Sequence, residues 1–304
     1  MRPAVLSGFL GLLLGGALAT PALSADPAAV KRGKYLFDAG GCAGCHTDTK
    51  NKGPLLAGGR ELKTPFGVYY SPNITPDKKT GIGGWSDADF LRAMRDGKNR
   101  DGDNYFPVFP FVAYTQMTDR DILDLKAYIF SLKPLAKANK KHQAGIIFGS
   151  RFMVGPWRAL NFKQGPMKPD PSKDAQWNRG RYLVEALGHC GECHTPRNKL
   201  GGLQTDRHMA GTNDGPDGES VPNITPHDGT GIGKWSADDL ESALTIGMLP
   251  DGDFLGGGMG EVVSNSTSKW TKADLRAALV YLQSLKAVEN RIGKQPAGGP
   301  SSTY

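Results

Sequence analysis

All four cysteines of this chain fall in one five-residue pattern written twice, Cys42-Ala-Gly-Cys45-His46 and Cys190-Gly-Glu-Cys193-His194. Two thiols two residues apart, with an imidazole directly behind them, have the spacing that clamps a haem. The thiols add across the porphyrin vinyl groups and the histidine offers a nitrogen to iron. A thioredoxin-like redox pair would need a strand-to-helix turn, and the periodicity around Cys42 and Cys190 shows no such strands. A zinc ribbon needs its two halves about 15 to 20 residues apart, which these motifs are not. Disulfides across a two-residue gap would close tiny loops and stabilise little. The pattern therefore predicts two covalently bound haem c groups, attached through Cys42, Cys45, Cys190 and Cys193, with His46 and His194 as iron ligands.

Repetition extends well beyond the cysteines. RGKYL from Arg32 returns as RGRYL from Arg179, PNITP from Pro72 returns from Pro222, and TGIGGWSDADF from Thr80 returns as TGIGKWSADDL from Thr230. TDRDILDLKAYIFSLKP from Thr118 is answered by TKADLRAALVYLQSLKA from Thr271. Each copy reads as helices separated by long Gly- and Pro-rich loops. One helix leads into each Cys-x-x-Cys-His motif. A second starts at Ser86 or Ser236, where Ser-x-x-Asp resembles a capping box. A third starts at Thr118 or Thr271, with Ile122, Leu125, Ile129 and Leu132 on one stripe. The expected fold is all-α, with two tandem domains related by internal duplication at 26–134 and 175–288. Residues 135–174 change to an apolar, aromatic and then Pro-rich composition and are expected to form an ordered interdomain bridge. The exposure of Phe152 and Trp157 in a flexible tether would be unfavourable. The tail 289–304 reads as disordered.

The first 25 residues carry one cation at Arg2, an apolar run and small residues at Ser24 and Ala25, the pattern of a secretory signal peptide. No later stretch reads as a membrane span, because the best one, from Gly145 to Phe162, contains Arg151 and Arg158. Export places the protein in the periplasm, with room for peripheral association at the outer face of the inner membrane. The formal charge of +7 would favour acidic docking faces on partners, with a solvated basic surface as the equal alternative. Nucleic acid is not among the expected partners.

The paired motifs, the PNIT…TGIG-x-WS block and WNRGRYLVEALGHCGECHTPRN together resemble the cytochrome c subunits of bacterial alcohol, gluconate and related dehydrogenases. The resemblance runs from Arg32 to Leu285. It implies cytochrome c-like domains that pass electrons from a dehydrogenase catalytic subunit to quinone, another cytochrome or an oxidase. Those subunits often have three haem domains and a C-terminal anchor, whereas this sequence has two motifs. The same resemblance points to Met117 as the second iron ligand in the first domain. Its counterpart by helix offset is Trp270, so the other ligand comes from elsewhere. Met259 is the family-like choice and Met248 its rival, while Met94, Met153, Met167 and Met209 fit core packing better. His189 and His208 lie near the second motif and read as packing or surface groups. Trp85, Trp235, Asn73 and Asn223 are candidates to brace the cofactors. The reading from another class is a dihaem enzyme, peroxidase-like or oxidising sulfur compounds, that works at an open iron.

Overall fold

The computed structural model describes residues 26–145 and 149–293. The leader expected over the first 25 residues, the bridge residues Ile146, Ile147 and Phe148 and the tail beyond 293 lie outside the described residues.

In the first half, helix α1 (Pro27–Ala39) runs into α2 (Cys42–His46), and α3 (Asp87–Asp96), α4 (Phe111–Tyr114) and α5 (Asp119–Ser131) follow. The predicted starts at Ser86 and Thr118 are the helix caps. Ser86 makes a complete capping box with Asp89, and the Thr118 hydroxyl accepts from Asp121 N at 3.1 Å. Satisfying the orphan amides of a first turn in this way is what defines where a helix begins. The all-α expectation fails between these helices. Strands β1 (Glu61–Thr64), β2 (Gly67–Tyr70) and β3 (Gln143–Ala144) form an antiparallel sheet in the order β1-β2-β3. The sequence signal is short: Pro65 and Phe66 form a two-residue turn, Gly67 takes a φ of 141°, and Val68-Tyr69-Tyr70 suits a pleated surface.

After helix α6 (Val154–Asn161), the second half comprises α7 (Ala175–Arg181), α8 (Gly191–His194), α9 (Ala237–Thr245), α10 (Gly257–Asn265) and α11 (Lys272–Gln283). Ser236 and Thr271 cap α9 and α11 as predicted. Among the described residues the sheet has no counterpart here. The matching region holds short 3₁₀ turns and an isolated bridge between Thr212 and Val221. The halves are therefore not copies of one all-α unit, and the expectation of a simple internal duplication is withdrawn with it. A second difference is a π-helical turn over Tyr182–Leu187. The second half has one more residue than the first between its Arg-Gly-x-Tyr-Leu block and its first motif cysteine, and a π-turn is how a helix absorbs one extra residue.

Two helix crossings set the halves. α1 packs on α5 and α7 on α11, each through a glycine at the contact. A Cβ on Gly33 would lie 1.8 Å from Asp124 O, and one on Gly180 would lie 1.9 Å from Ala277 O. Arginines beside the glycines lock the pairs: Arg32 Nε meets Asp124 at 2.6 Å, and Arg179 Nε meets Asp274 at 2.8 Å. Tyrosines then join the halves reciprocally. The Tyr35 hydroxyl donates to Asp274, and the Tyr182 hydroxyl donates to Asp121 at 2.5 Å, each at the start of the other half's last helix. One hydrophobic core, including Leu36, Met117, Ile122, Leu183, Trp270 and Leu282, runs through both halves. The bridge builds a satellite core of Tyr69, Phe106 and Val154. Its Trp157 donates to Leu200 O at 3.0 Å, although Phe152 is 81 % exposed, against the expectation that it would be covered.

Gly33→Ala or Gly180→Ala should therefore force a helix pair apart and destabilise the protein by about 1–3 kcal/mol or more, read as a lower urea midpoint. Asp274 supplies a pH signature. Burial alone would raise its pKa, but hydrogen bonds from Arg179 and Tyr35 outweigh burial and hold it below the ordinary carboxylate range. A depressed folded-state pKa stabilises above the unfolded value and loses that stabilisation as pH falls through the folded value. Asp274→Asn should cost roughly 1–3 kcal/mol at neutral pH, and the gap to the parent protein should narrow below about pH 4. A constant gap across that range would refute the assignment.

Candidate haem sites

Each motif histidine ends a short helix and is held from behind. His46 Nδ1 donates to Pro72 O at 2.9 Å, and His194 Nδ1 donates to Pro222 O at 2.8 Å. A proton held on Nδ1 leaves the Nε2 lone pair as the ring's only free ligand, the arrangement by which a backbone carbonyl orients an iron- or zinc-binding imidazole. Burial pushes both imidazoles below the usual histidine range, which keeps them neutral.

The carbonyls are themselves fixed, and here lies the role of the repeated Pro-Asn-Ile-Thr. Asn73 Oδ1 accepts from Thr75 N at 2.9 Å while its Nδ2 donates to Leu135 O at 2.8 Å. Asn223 does the same with Thr225 N at 2.9 Å and Val288 O at 2.8 Å. The asparagines thus brace the loop behind each histidine. Trp85 and Trp235 pack against the main core.

All four cysteines are free. Burial pushes the Cys42 and Cys190 thiols up to about 12 and Cys193 to about 11, and it raises Cys45 as well. Redox-active Cys-x-x-Cys pairs need the opposite shift. Cys45 nevertheless exposes surface and the other three are partly open. Thiols kept protonated by apolar surroundings yet not sealed inside the core suit covalent attachment of a flat apolar cofactor. Paired thiols followed directly by an oriented imidazole fit a covalently attached haem.

Each half also closes the other's site. α10 packs on α2, so that a Cβ on Gly44 would lie 3.5 Å from Asn265 Cβ. Arg60, which sequence reasoning missed, donates to Gly44 O at 2.7 Å and pairs with Glu261 of α10 at 2.5 Å. In the other direction, α4 residues Val112 and Ala113 line a hollow with His189, Gly191 and Glu192. The Tyr114 ring meets the His189 ring edge-on at 5.4 Å. His189 occupies a left-handed turn at φ 41°, where the first half has Gly41 at φ 64°. The two motifs are close enough for the Cys45 thiol to raise that of Cys193.

Met117 is fully buried just before α5, its carbonyl accepting from Arg95 Nη2 at 2.8 Å. Trp270, at the matching position, is committed elsewhere through Nε1, which donates to Ala39 O at 3.0 Å. Met259 lies half-buried in α10, and Met248 is 37 % exposed on the loop before it. Met209 is fully buried but rests on the motif helix itself, its Cε 3.5 Å from where a Gly191 Cβ would be, on the wall that carries His194. Leu56 takes the corresponding place in the first half, with the same positive φ. His208, read from sequence as a packing or surface group, is part of a polar cluster. Its Nε2 lies 2.8 Å from Glu185 Oε1, which also accepts from the Tyr281 hydroxyl at 2.7 Å.

Comparison with known proteins agrees with this chemistry. The cytochrome c family model matches residues 30–133. A dihaem c-type cytochrome of Cereibacter sphaeroides is 38% identical over 310 residues, covering 95% of this chain and 100% of its own length. The cytochrome c subunit of a quinone-type alcohol dehydrogenase of Gluconobacter oxydans is 38% identical over 93% of this chain. That of gluconate 2-dehydrogenase of Pantoea cypripedii is 38% identical over 94%. The chain spans 60% and 66% of the length of these two dehydrogenase subunits. With its full-length likeness to a dihaem relative, the chain belongs to the cytochrome c family and is an electron-transfer protein with covalently bound haem c.

Proposed function

We propose that the protein holds two haems and relays electrons from a dehydrogenase catalytic subunit to quinone, another cytochrome or an oxidase in the periplasm. The observation that carries this reading is the pair of carbonyl-anchored motif histidines, His46 and His194, each at the end of its own Cys-x-x-Cys-His helix. In this reading Cys42 and Cys45 form the thioethers of one haem within a cytochrome c unit at 26–134. Cys190 and Cys193 form those of the other within a unit at 175–288, with 135–174 as the bridge between them. His46 and Met117 bind the first iron, and His194 and Met259 the second.

When bound, the haem supplies a one-electron iron couple, whose potential rises with a thioether ligand and with burial. The chain's own residues do the rest. Pro72 and Pro222 hold the imidazole protons on Nδ1, Asn73 and Asn223 keep those carbonyls in place, and the apolar core excludes water. The dehydrogenase partner is supported by the names of the relatives, which are subunits of alcohol and gluconate dehydrogenases. No helix among the described residues is long and apolar enough to cross a membrane. Export through the leader and peripheral association at the membrane face complete the proposal.

Haem content and ligation test it directly. The mature protein should contain two haems per chain, and Cys190→Ser with Cys193→Ser should leave one. The reduced protein should show no spectral change under carbon monoxide, because both irons are six-coordinate. Met259→Leu should open one iron to carbon monoxide, whereas Met248→Leu and Met209→Leu should not. Carbon monoxide binding to the unmodified protein would refute the ligand assignment. Co-purification from the native host with a dehydrogenase subunit in equal amount would support the relay, and recovery of the chain alone would count against it.

A further inference from the structure

The same loop is built twice and covered once. In the first half, Lys98 bridges Asn104, Asn99 N donates to Asp103 O at 2.9 Å and Tyr105 N donates to Gly97 O at 2.7 Å. In the second half, Met248 bridges Phe254, Leu249 N donates to Asp253 O at 2.8 Å and Leu255 N donates to Gly247 O at 2.7 Å. The bridge folds back over the first loop with two arginines and an apolar helix. Arg158 donates to Asp96 O at 2.5 Å, Arg151 donates to Asn104 O at 2.8 Å, and Val154 joins the satellite core.

At the matching positions of the second loop, the carbonyls of Ile246 and Phe254 accept no hydrogen bond among the described residues. The side chains there are apolar and open: Ile246 and Phe254 are each 61 % exposed and Met248 is 37 % exposed. Contiguous exposed apolar surface of this kind marks interaction sites. Its charge is one-sided. From Ser236 to Leu255 the chain carries Asp238, Asp239, Glu241, Asp251 and Asp253 and no cation, in a protein of net charge +7. The first loop, by contrast, has Arg92, Arg95, Lys98 and Arg100. The loop leads directly into α10, which carries Met259.

We infer that the loop 246–255 is the docking face for a cationic redox partner, which covers it with arginine and apolar side chains as the bridge covers the first loop. The inference rests on the electron-carrier reading and places electron exchange with that partner at the second site. Carbonyls that accept from arginine on one loop give the recognition chemistry for the other, and the acidic surround supplies steering. The chain's own tail does not match this chemistry, because residues 294–304 contain no arginine.

The test is stopped-flow electron exchange between the haem-loaded protein and a basic monohaem cytochrome c, as a function of ionic strength. Asp251→Lys with Asp253→Lys should slow the reaction about tenfold or more at low salt, with the difference fading at high salt. Ile246→Ser with Phe254→Ser should slow it severalfold at every salt concentration. Asp101→Lys with Asp103→Lys, on the covered loop, should leave the rate within twofold. Equal losses from both loops, or none from the second, would overturn the inference. So would a dimer in sedimentation that Phe254→Ser dissociates, which would put a second copy on the face, or a faster reaction after deletion of residues 294–304, which would put the tail there. A small uncharged reductant should reduce every variant at the parent rate. A parent protein that takes no electron from that reductant would refute the carrier reading itself, independently of docking.

Discussion

An imidazole that gives its Nδ1 proton to a backbone carbonyl has a single nitrogen left to offer, and its ring can no longer rotate. Much of this molecule serves that constraint at His46 and His194. The carbonyls belong to prolines, the prolines precede asparagines, and the asparagine amides tie the loops to the irregular segment that follows each half's last helix, at Leu135 and Val288. That last helix is in turn held by a glycine crossing and an arginine pair. A short local bond is therefore maintained by residues spread through most of each half.

The second consequence is electrostatic. Neutral, desolvated imidazoles and thiols in a cleft would be poor acid–base or redox-thiol machinery, since both depend on charged forms that burial here disfavours. The same surroundings suit a macrocycle that needs apolar contact and an oriented axial ligand. Across the interface, Arg60 and Glu261 tie α10 to the first motif, and Tyr114 meets His189 at the second.

What could be read from the sequence follows from how local the signal is. Ser86, Thr118, Ser236 and Thr271 announce helix starts within four residues, and all four are caps. The two motifs were legible because their chemistry lies in consecutive residues. The hairpin at 61–70 escaped notice because its alternation is only four residues long on each side, too brief to separate from loop. The acceptors Pro72 O and Pro222 O are backbone atoms, which residue types do not advertise, although the repetition of Pro-Asn-Ile-Thr marked the place. The pairings of Tyr35 with Asp274 and Tyr182 with Asp121 depend on how the halves dock, which no window of sequence contains. The π-turn left one clue, the extra residue before Cys190.

The crossed construction also bears on how the chain acquires its structure. Ser266 and Trp270 both donate to Ala39 O, and Tyr35 reaches Asp274, across sequence separations of 227, 231 and 239 residues. Helical proteins usually fold quickly because their contacts are local, and contacts this remote carry the loop-closure cost more typical of β-rich folds. The segment from Gly257 to Asp274 is among the last described parts of the chain to be synthesised, and its helix α10 packs on the motif helix that begins at Cys42. During synthesis the first motif is therefore complete in sequence long before the helix that packs on it exists.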